Sequence, residues 1–103
     1  MIRVSVMYPN EKGIRFDMAY YLATHMPLVK RLAGAALLKM AVEEGISGMA
    51  PGSLAPYVAL GHLTFESVEA FQGAFMPHAA EILADIPNYT DSQPMVQIST
   101  IKM

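Results

Sequence analysis

The segment Tyr57–Phe65 reads YVALGHLTF, and it decides the fold because it predicts a strand that is apolar on both faces. One face carries Val58, Leu60, His62 and Thr64, and the other carries Ala59, Gly61, Leu63 and Phe65. A strand that is apolar on both faces is covered on both faces. The segment therefore predicts a sheet with helices on one side and a further layer on the other.

Three more alternating segments and two amphipathic helices surround this strand. The predicted strands are Ile2–Tyr8, Leu37–Glu43 and Met95–Lys102. The helices are predicted to begin after the N-cap residues Asp17 and Ser67, and Gly34 is predicted to end the first of them. The element order is therefore β-α-β-β-α-β.

This order predicts an α+β domain with a ferredoxin-like arrangement. Two right-handed βαβ crossovers place both helices on one face of an antiparallel four-stranded sheet. The other face is expected to be too apolar to meet water, with Val58 and Leu60, or Leu38 and Met40, on it. We therefore expect a single domain over residues 1–103 that pairs with a second copy, sheet to sheet, as a homodimeric α/β barrel.

The composition supports a homodimer and excludes several other classes of protein. Apolar residues make up 53% of the chain and charged residues 16%, and there is no cysteine to form a disulfide. The net charge is −2 and the seven Lys and Arg residues form no basic stripe, which argues against a nucleic-acid partner. There is no membrane-length apolar run and no signal-peptide pattern, so we expect a cytoplasmic protein without a membrane partner.

The first predicted helix carries an apolar stripe that includes a histidine. At the helical period of about 3.6 residues, the stripe contains Met18, Tyr21, Leu22, His25, Val29 and Leu32. Pro27 lies inside this helix and has no N–H to donate to the carbonyl of Ala23. We therefore expect a kink or a short break beside His25.

His25 is the leading candidate for chemistry. A backbone carbonyl freed beside it can orient the imidazole and leave the other ring nitrogen as a general base or hydrogen-bond donor. Tyr21 is four residues earlier on the same helix face, so the two side chains can meet. We predict His25 and Tyr21 as catalytic residues. The alternative is a structural core histidine whose hydrogen bonds are satisfied by the backbone or by the tyrosine.

Four further residues are predicted to contact a bound molecule, namely Met18, Leu22, His62 and Tyr89. His62 has an alternative interpretation as an interface histidine paired across a two-fold axis. The three histidines have no metal-ligand spacing, and no phosphate loop or nucleotide fingerprint is present, so we expect neither metal nor cofactor. Carboxylates at Asp17, Asp85 and Asp91 occupy positions where caps and turns need them.

The chain resembles the ethyl tert-butyl ether degradation (EthD) family of dimeric α/β-barrel proteins in three segments. These are MIRVSVMYPNEKGIRFDMAYYLATHMPLV, YVALGHLTFESVEAFQGAF and DIPNYTDSQPMVQIS, in that order along the chain. The stretches DxxYYLxTHxPL and DIPNYTDxxP carry most of the similarity, which covers essentially the whole chain. The resemblance implies a dimeric barrel without an obligatory metal or haem, associated with oxidative degradation of small organic compounds.

The resemblance leaves the reaction open, since related barrels include cofactor-independent monooxygenases, isomerases, polyketide cyclases and decarboxylases. The leading hypothesis is a cofactor-independent enzyme, oxidoreductase first, that acts on a small apolar organic molecule between helices and sheet. One alternative is a non-catalytic protein that binds an apolar metabolite. Another is an accessory dimer that supports a neighbouring enzyme, which predicts no cavity larger than a few water molecules.

Overall fold

A computed structural model describes all residues of the chain, Met1–Met103. The strands are β1 (Ile2–Pro9), β2 (Lys39–Glu44), β3 (Tyr57–Phe65) and β4 (Met95–Thr100). The helices are α1 (Met18–Tyr20), α2 (Met26–Ala33), α3 (Val68–Phe75) and α4 (Ala79–Asp85). A π-helical turn, Tyr21–His25, joins α1 to α2, and short 3₁₀ turns follow α2, α3 and α4. None of the helices is long and apolar enough to cross a bilayer.

The four strands form one antiparallel sheet in the order β2-β3-β1-β4. In the centre of the sheet, Val6 of β1 lies opposite Gly61 of β3 and Val96 of β4. This arrangement confirms the predicted α+β, ferredoxin-like fold. Strand β3 has its predicted bounds, whereas β2 begins at Lys39 rather than Leu37, and β4 ends at Thr100 rather than Lys102.

The core lies between the helices and one face of the sheet, and its largest fully buried side chains are Tyr8, Tyr21, Tyr89, Phe65 and Val4. The helices begin where the sequence predicts. Asp17 accepts a hydrogen bond from the backbone N–H of Tyr20 at 3.0 Å. Ser67 accepts one from the N–H of Ala70 at 3.1 Å. These caps fix the starts of the two helical segments that cover one face of the sheet.

The irregularity predicted beside His25 is the π-helical turn. Met26 donates its backbone N–H to the carbonyl of Tyr21, five residues earlier, instead of four. The wider turn rotates the residues that follow it around the helix axis. As a result Met26 is buried, while Leu22, predicted for the buried stripe, is 51% exposed.

The sheet face away from the helices has mixed polarity. Val58 and Leu60 lie on it as predicted, together with Met7 and Met95 of the neighbouring strands. Apart from Ala41, polar side chains occupy the rest of this open face, namely Arg3, Ser5, Lys39, Glu43, His62, Thr64, Gln97 and Ser99. Of the two alternatives left open for this face, the one with Leu38 and Met40 does not hold, because Met40 pairs with Leu63 and packs with it against the helix-side core. Leu38 precedes the strand.

Candidate functional site

A cavity of about 290 Å³ lies between the sheet and the helices. Thirteen of its 16 lining residues are hydrophobic, and the lining is Val4, Val6, Tyr8, Tyr21, His25, Met26, Val29, Gly61, Leu63, Phe71, Phe75, Ile82, Leu83, Ile86, Pro94 and Val96. Leu83 and Val96 are more than half exposed, so they form the mouth between α4 and β4. Pockets for small ligands have volumes of about 300 Å³ and upward, so this cavity lies at the lower end of their range. It suits a small organic molecule and is larger than the space for a few waters expected of a purely structural dimer.

His25 brings an imidazole to the wall of this cavity from the end of the π-helical turn. The residue is 4% exposed. Its Nδ1 lies 2.8 Å from Oδ2 of Asp85, the last residue of α4. Because an ionised carboxylate only accepts hydrogen bonds, Nδ1 carries a proton and donates a hydrogen bond to Asp85.

Two further donors hold the other oxygen of the Asp85 carboxylate. The Tyr20 hydroxyl donates to Oδ1 at 2.7 Å, and the Asn88 side-chain amide donates at 3.0 Å. Burial alone raises the pKa of Asp85, but the hydrogen bonds from Tyr20, Asn88 and His25 together hold that pKa below its ordinary value of 3.8. Asp85 is therefore a fixed, ionised partner for the imidazole at neutral pH.

Burial lowers the pKa of His25 below its ordinary value of 6.5, although the hydrogen bond and charge of Asp85 oppose that shift. The imidazole is therefore neutral at neutral pH, with its proton on Nδ1 and a lone pair on Nε2. No protein group hydrogen-bonds to Nε2, and no fully buried side-chain nitrogen or oxygen lacks a partner. Nε2 is therefore accessible, and since His25 lines the cavity, its lone pair is available to a molecule bound there.

Tyr21 and Tyr89 pack against His25, and Tyr8 packs against both of these tyrosines. The Tyr21 ring stacks on the imidazole with 5.6 Å between centroids and 14° between planes. Its hydroxyl lies against Gly61, where a Cβ atom would collide with it. The hydroxyls of Tyr8 and Tyr89 are hydrogen-bonded at 2.7 Å. Burial raises the pKa of all three phenols, so their hydroxyls stay protonated.

The structure brings together some of the predicted site residues and separates others. His25 and Tyr21 both line the cavity. Tyr89 contacts His25, with 4.7 Å between ring centroids, but it lies behind the wall and does not line the cavity. Met18 packs against the core outside the cavity, and Leu22 points to solvent because of the π-helical turn.

His62 lies on the opposite face of the sheet. Alternate residues of a strand point to opposite faces, so Gly61 and Leu63 line the cavity while His62 faces away. Its Nδ1 is 3.0 Å from the Ser5 hydroxyl oxygen, and its Nε2 is 3.0 Å from Oε1 of Glu43. The expectation that His62 contacts a molecule bound beside His25 is corrected accordingly. His62 lies on the face predicted to meet a second copy.

The residues that position the His25 imidazole were not predicted from the sequence. Asp85 was assigned a capping or turn role, yet its carboxylate binds the imidazole of His25. Tyr20 and Asn88 complete this arrangement and were not singled out for it. The available signal was the DIPNYT stretch of the resemblance, which contains Asp85, Asn88 and Tyr89.

The fold and the site define a ferredoxin-like domain with a histidine at an apolar cavity under its helices. The model of the EthD domain matches residues 15–93, more than half of the chain, so the chain belongs to the EthD family. That range includes both His25 and Asp85. Among curated proteins, no sequence matches the chain.

Solved structures share the fold over nearly the full length of the chain. An EthD-like protein from Ralstonia eutropha JMP134 is 46% identical, with a TM-score of 0.96, and the match covers 99% of this chain and 92% of that one. An EthD family protein from Bacillus halodurans C-125 is 18% identical, with a TM-score of 0.73 and 98% of each chain covered. A dimeric ferredoxin-like protein of unknown function from Thermobifida fusca YX is 16% identical, with a TM-score of 0.64, covering 97% of this chain and 90% of that one.

Proposed function

We propose that the protein binds a small apolar organic molecule in the helix-side cavity and transfers a proton to or from it without a cofactor. His25 is the base, and the Tyr21 hydroxyl orients the molecule. One observation carries this proposal. A neutral imidazole presents its free Nε2 to an apolar cavity, while its Nδ1 is hydrogen-bonded to an ionised Asp85 at 2.8 Å.

The arrangement favours proton transfer because it stabilises the charge that develops on the histidine. When Nε2 accepts a proton, the imidazole becomes a cation beside the Asp85 carboxylate. Tyr20 and Asn88 already hold that carboxylate in place, so little reorganisation is needed as the charge appears. A molecule that fills the apolar cavity displaces water from it, which strengthens the electrostatic interaction between the two groups.

The same step serves each reaction that the family resemblance leaves open. Isomerases and cyclases move a proton next to a carbonyl, and decarboxylases deliver one to a carbanion. In an oxidative role, deprotonation converts an electron-rich ring into the anion that reacts with dioxygen as co-substrate. We propose proton transfer as the shared core of these functions, with oxidative degradation of organic compounds as the first role to examine.

A non-catalytic binding protein is the second candidate. The observation that favours it is the lining, in which 13 of 16 residues are hydrophobic. Such a cavity holds an apolar molecule by desolvation alone. This candidate shares the ligand class with the first and differs only in the absence of turnover.

We also propose that the working unit is a homodimer formed through the open sheet face, in the cytoplasm. Four apolar side chains, Met7, Val58, Leu60 and Met95, lie together on that face, which no helix covers. Apolar patches of this kind mark protein interfaces. A similar fold from Thermobifida fusca is described as dimeric, which supports the proposal.

Hydrogen exchange into a test ketone measures proton transfer without knowledge of the natural substrate. 1-Tetralone carries exchangeable C–H groups next to its carbonyl and fits a small apolar cavity. In deuterated buffer, we expect the wild-type protein to accelerate deuterium incorporation, as followed by mass spectrometry. His25→Ala should return the rate to background, a loss of about a hundredfold or more.

The matched control is His62→Ala, which removes a histidine from the opposite sheet face. We expect this variant to exchange at the wild-type rate. Binding of 1-tetralone without accelerated exchange would favour the non-catalytic candidate. Equal acceleration by wild-type protein and His25→Ala would remove His25 from the mechanism.

A further inference from the structure

The charges around the cavity disfavour an anionic ligand. No lysine or arginine is among the 16 lining residues. An ionised carboxylate, that of Asp85, is hydrogen-bonded to the His25 ring, with Oδ2 2.8 Å from Nδ1. A carboxylate or phosphate in the cavity would lose its hydration without gaining a cationic partner, and Asp85 would repel it.

The hydrogen-bonding groups of the cavity call for a donor on the ligand. The Nε2 lone pair of His25 has no protein partner. The Tyr8 hydroxyl is already paired with Tyr89. The Tyr21 hydroxyl stays protonated and can donate to a ligand oxygen as well as accept from it, so only Nε2 requires a donor. A bound molecule that offers neither an O–H donor nor the weaker C–H donor next to a carbonyl would cover Nε2 and leave it unsatisfied in an apolar site, which is costly.

The acidity of that donor is limited by the strength of the base. Burial keeps the pKa of His25 below 6.5, so the imidazole is a weak base. A phenol, with a pKa of about 10, is within reach of such a base when Asp85 stabilises the imidazolium. Aliphatic alcohols and amides are weaker acids than phenols and therefore weaker hydrogen-bond donors to Nε2.

We infer that the natural ligand is an uncharged molecule that presents one weakly acidic O–H group, a phenol or an enol, to Nε2 of His25. This inference rests on the proposed function and adds the charge and the polar group of the ligand to it. The remainder of the molecule is apolar and contacts side chains such as Val29, Phe71 and Ile82. The ligand O–H donates to Nε2 in the complex, and its proton moves to Nε2 when His25 acts as base.

Three probes of one shape test the inference. 4-Propylphenol, its methyl ether and 4-propylbenzoate share the ring and the alkyl chain and differ in the polar group. Isothermal titration calorimetry of the full chain near neutral pH should give the phenol a dissociation constant about tenfold lower than the ether. The benzoate should bind more weakly than either.

Variants link this preference to His25. His25→Leu removes the acceptor and keeps the wall apolar, so the phenol should lose its advantage over the ether. His62→Leu, the control on the opposite sheet face, should keep the wild-type preference. In the wild-type protein, ¹⁵N NMR should show the Nε2 signal of His25 shifting with the phenol and not with the ether, a readout that needs no variant to fold.

Each outcome of the binding measurements with the three probes either supports or overturns the inference about the ligand. Equal affinities for phenol and ether, or tightest binding of the benzoate, would overturn the inference while leaving ligand binding in the cavity intact. No binding of any probe would overturn the inference together with the proposed cavity function. Preferential phenol binding without deuterium exchange into 1-tetralone would support the inference and remove the catalytic role alone.

Discussion

The imidazole of His25 and the carboxylate of Asp85 are 60 positions apart in the sequence, and their Nδ1 and Oδ2 atoms lie 2.8 Å apart in the fold. The π-helical turn supplies one partner and the C-terminal end of α4 supplies the other. Because Asp85 stays ionised and His25 stays neutral at neutral pH, the pair leaves one free nitrogen facing an apolar cavity. The predictions below test this arrangement and the surfaces around it.

Asp85→Asn should weaken the His25 base while preserving side-chain shape. Loss of the carboxylate charge removes the contribution that opposes burial, so the pKa of His25 should fall further. Deuterium exchange into 1-tetralone should slow by about a hundredfold. NMR titration of the His25 imidazole measures the pKa, and mass spectrometry measures the exchange.

Asp91→Asn is the matched control, since Asp91 accepts a hydrogen bond from the Arg15 backbone N–H, away from His25. A His25 pKa that rises in Asp85→Asn would contradict the account.

Stability should fall as the pH is lowered from about 6.5. The unfolded chain protonates His25 at its ordinary pKa, whereas the folded chain does so only at lower pH. Between these two values the unfolded state binds more protons, so the free energy of unfolding increases with pH. Asp85 acts in the same direction in a lower window that begins below 3.8, because its folded pKa is also depressed.

Urea denaturation at successive pH values below neutrality measures this dependence. His25→Gln should flatten the upper part of the curve, and His62→Gln should leave that part in place. A free energy of unfolding that is constant or increases on acidification through this range would show that burial does not disfavour the charged imidazole.

Gly61→Ala should displace the Tyr21 side chain. A Cβ at position 61 would collide with the Tyr21 hydroxyl, so the ring or the strand must shift. Overpacking of this kind costs about 1–3 kcal/mol. Affinity for 4-propylphenol should fall as well, because Tyr21 lines the cavity. Urea denaturation and calorimetry measure the two effects.

Gly73→Ala provides the matched control. Gly73 lies in α3, and a Cβ there meets nothing within 4 Å. This substitution should stabilise the protein by about 0.5–1 kcal/mol through helix propensity. If Gly61→Ala and Gly73→Ala changed the free energy of unfolding equally, the Tyr21 hydroxyl would not need the space that the missing side chain of Gly61 leaves.

Met7→Lys should dissociate the proposed homodimer. Met7 lies on the open sheet face between Leu60 and Met95, so a charge buried there would lack a partner. Sedimentation equilibrium should give a dimer for the wild-type chain and an 11.2 kDa monomer for the variant. Ile46→Lys, at a residue that is 95% exposed in the loop between β2 and β3, should remain dimeric. A wild-type chain that sediments as a monomer at micromolar concentration would refute the proposed interface.

Local patterns in the sequence were sufficient to predict the fold. A run that is apolar on both faces located β3 at its observed bounds, and side-chain caps at Asp17 and Ser67 marked the helix starts. These features depend on neighbouring residues alone, so a single sequence contains them. Pro27 likewise indicated an irregular helix, which is the π-helical turn.

The composition of the site depended on contacts between distant segments. The type of helix irregularity decides which residues face the core. In the helix with the π-helical turn, Leu22 is exposed and Met26 is buried. The partner of His25 comes from a distant part of the chain, and no local pattern of residues distinguishes Asp85 from a capping carboxylate. Only the resemblance of the DIPNYT stretch marks it. Strand register, rather than alternation alone, decides that Met40 faces the helices.

The protonation state of His25 is the central claim, and ¹H–¹⁵N NMR of the imidazole near neutral pH measures it most directly. The account predicts a proton on Nδ1, hydrogen-bonded to Asp85, and an unprotonated Nε2. An imidazole with its proton on Nε2, or with protons on both nitrogens, would contradict it, because no free base would then face the cavity.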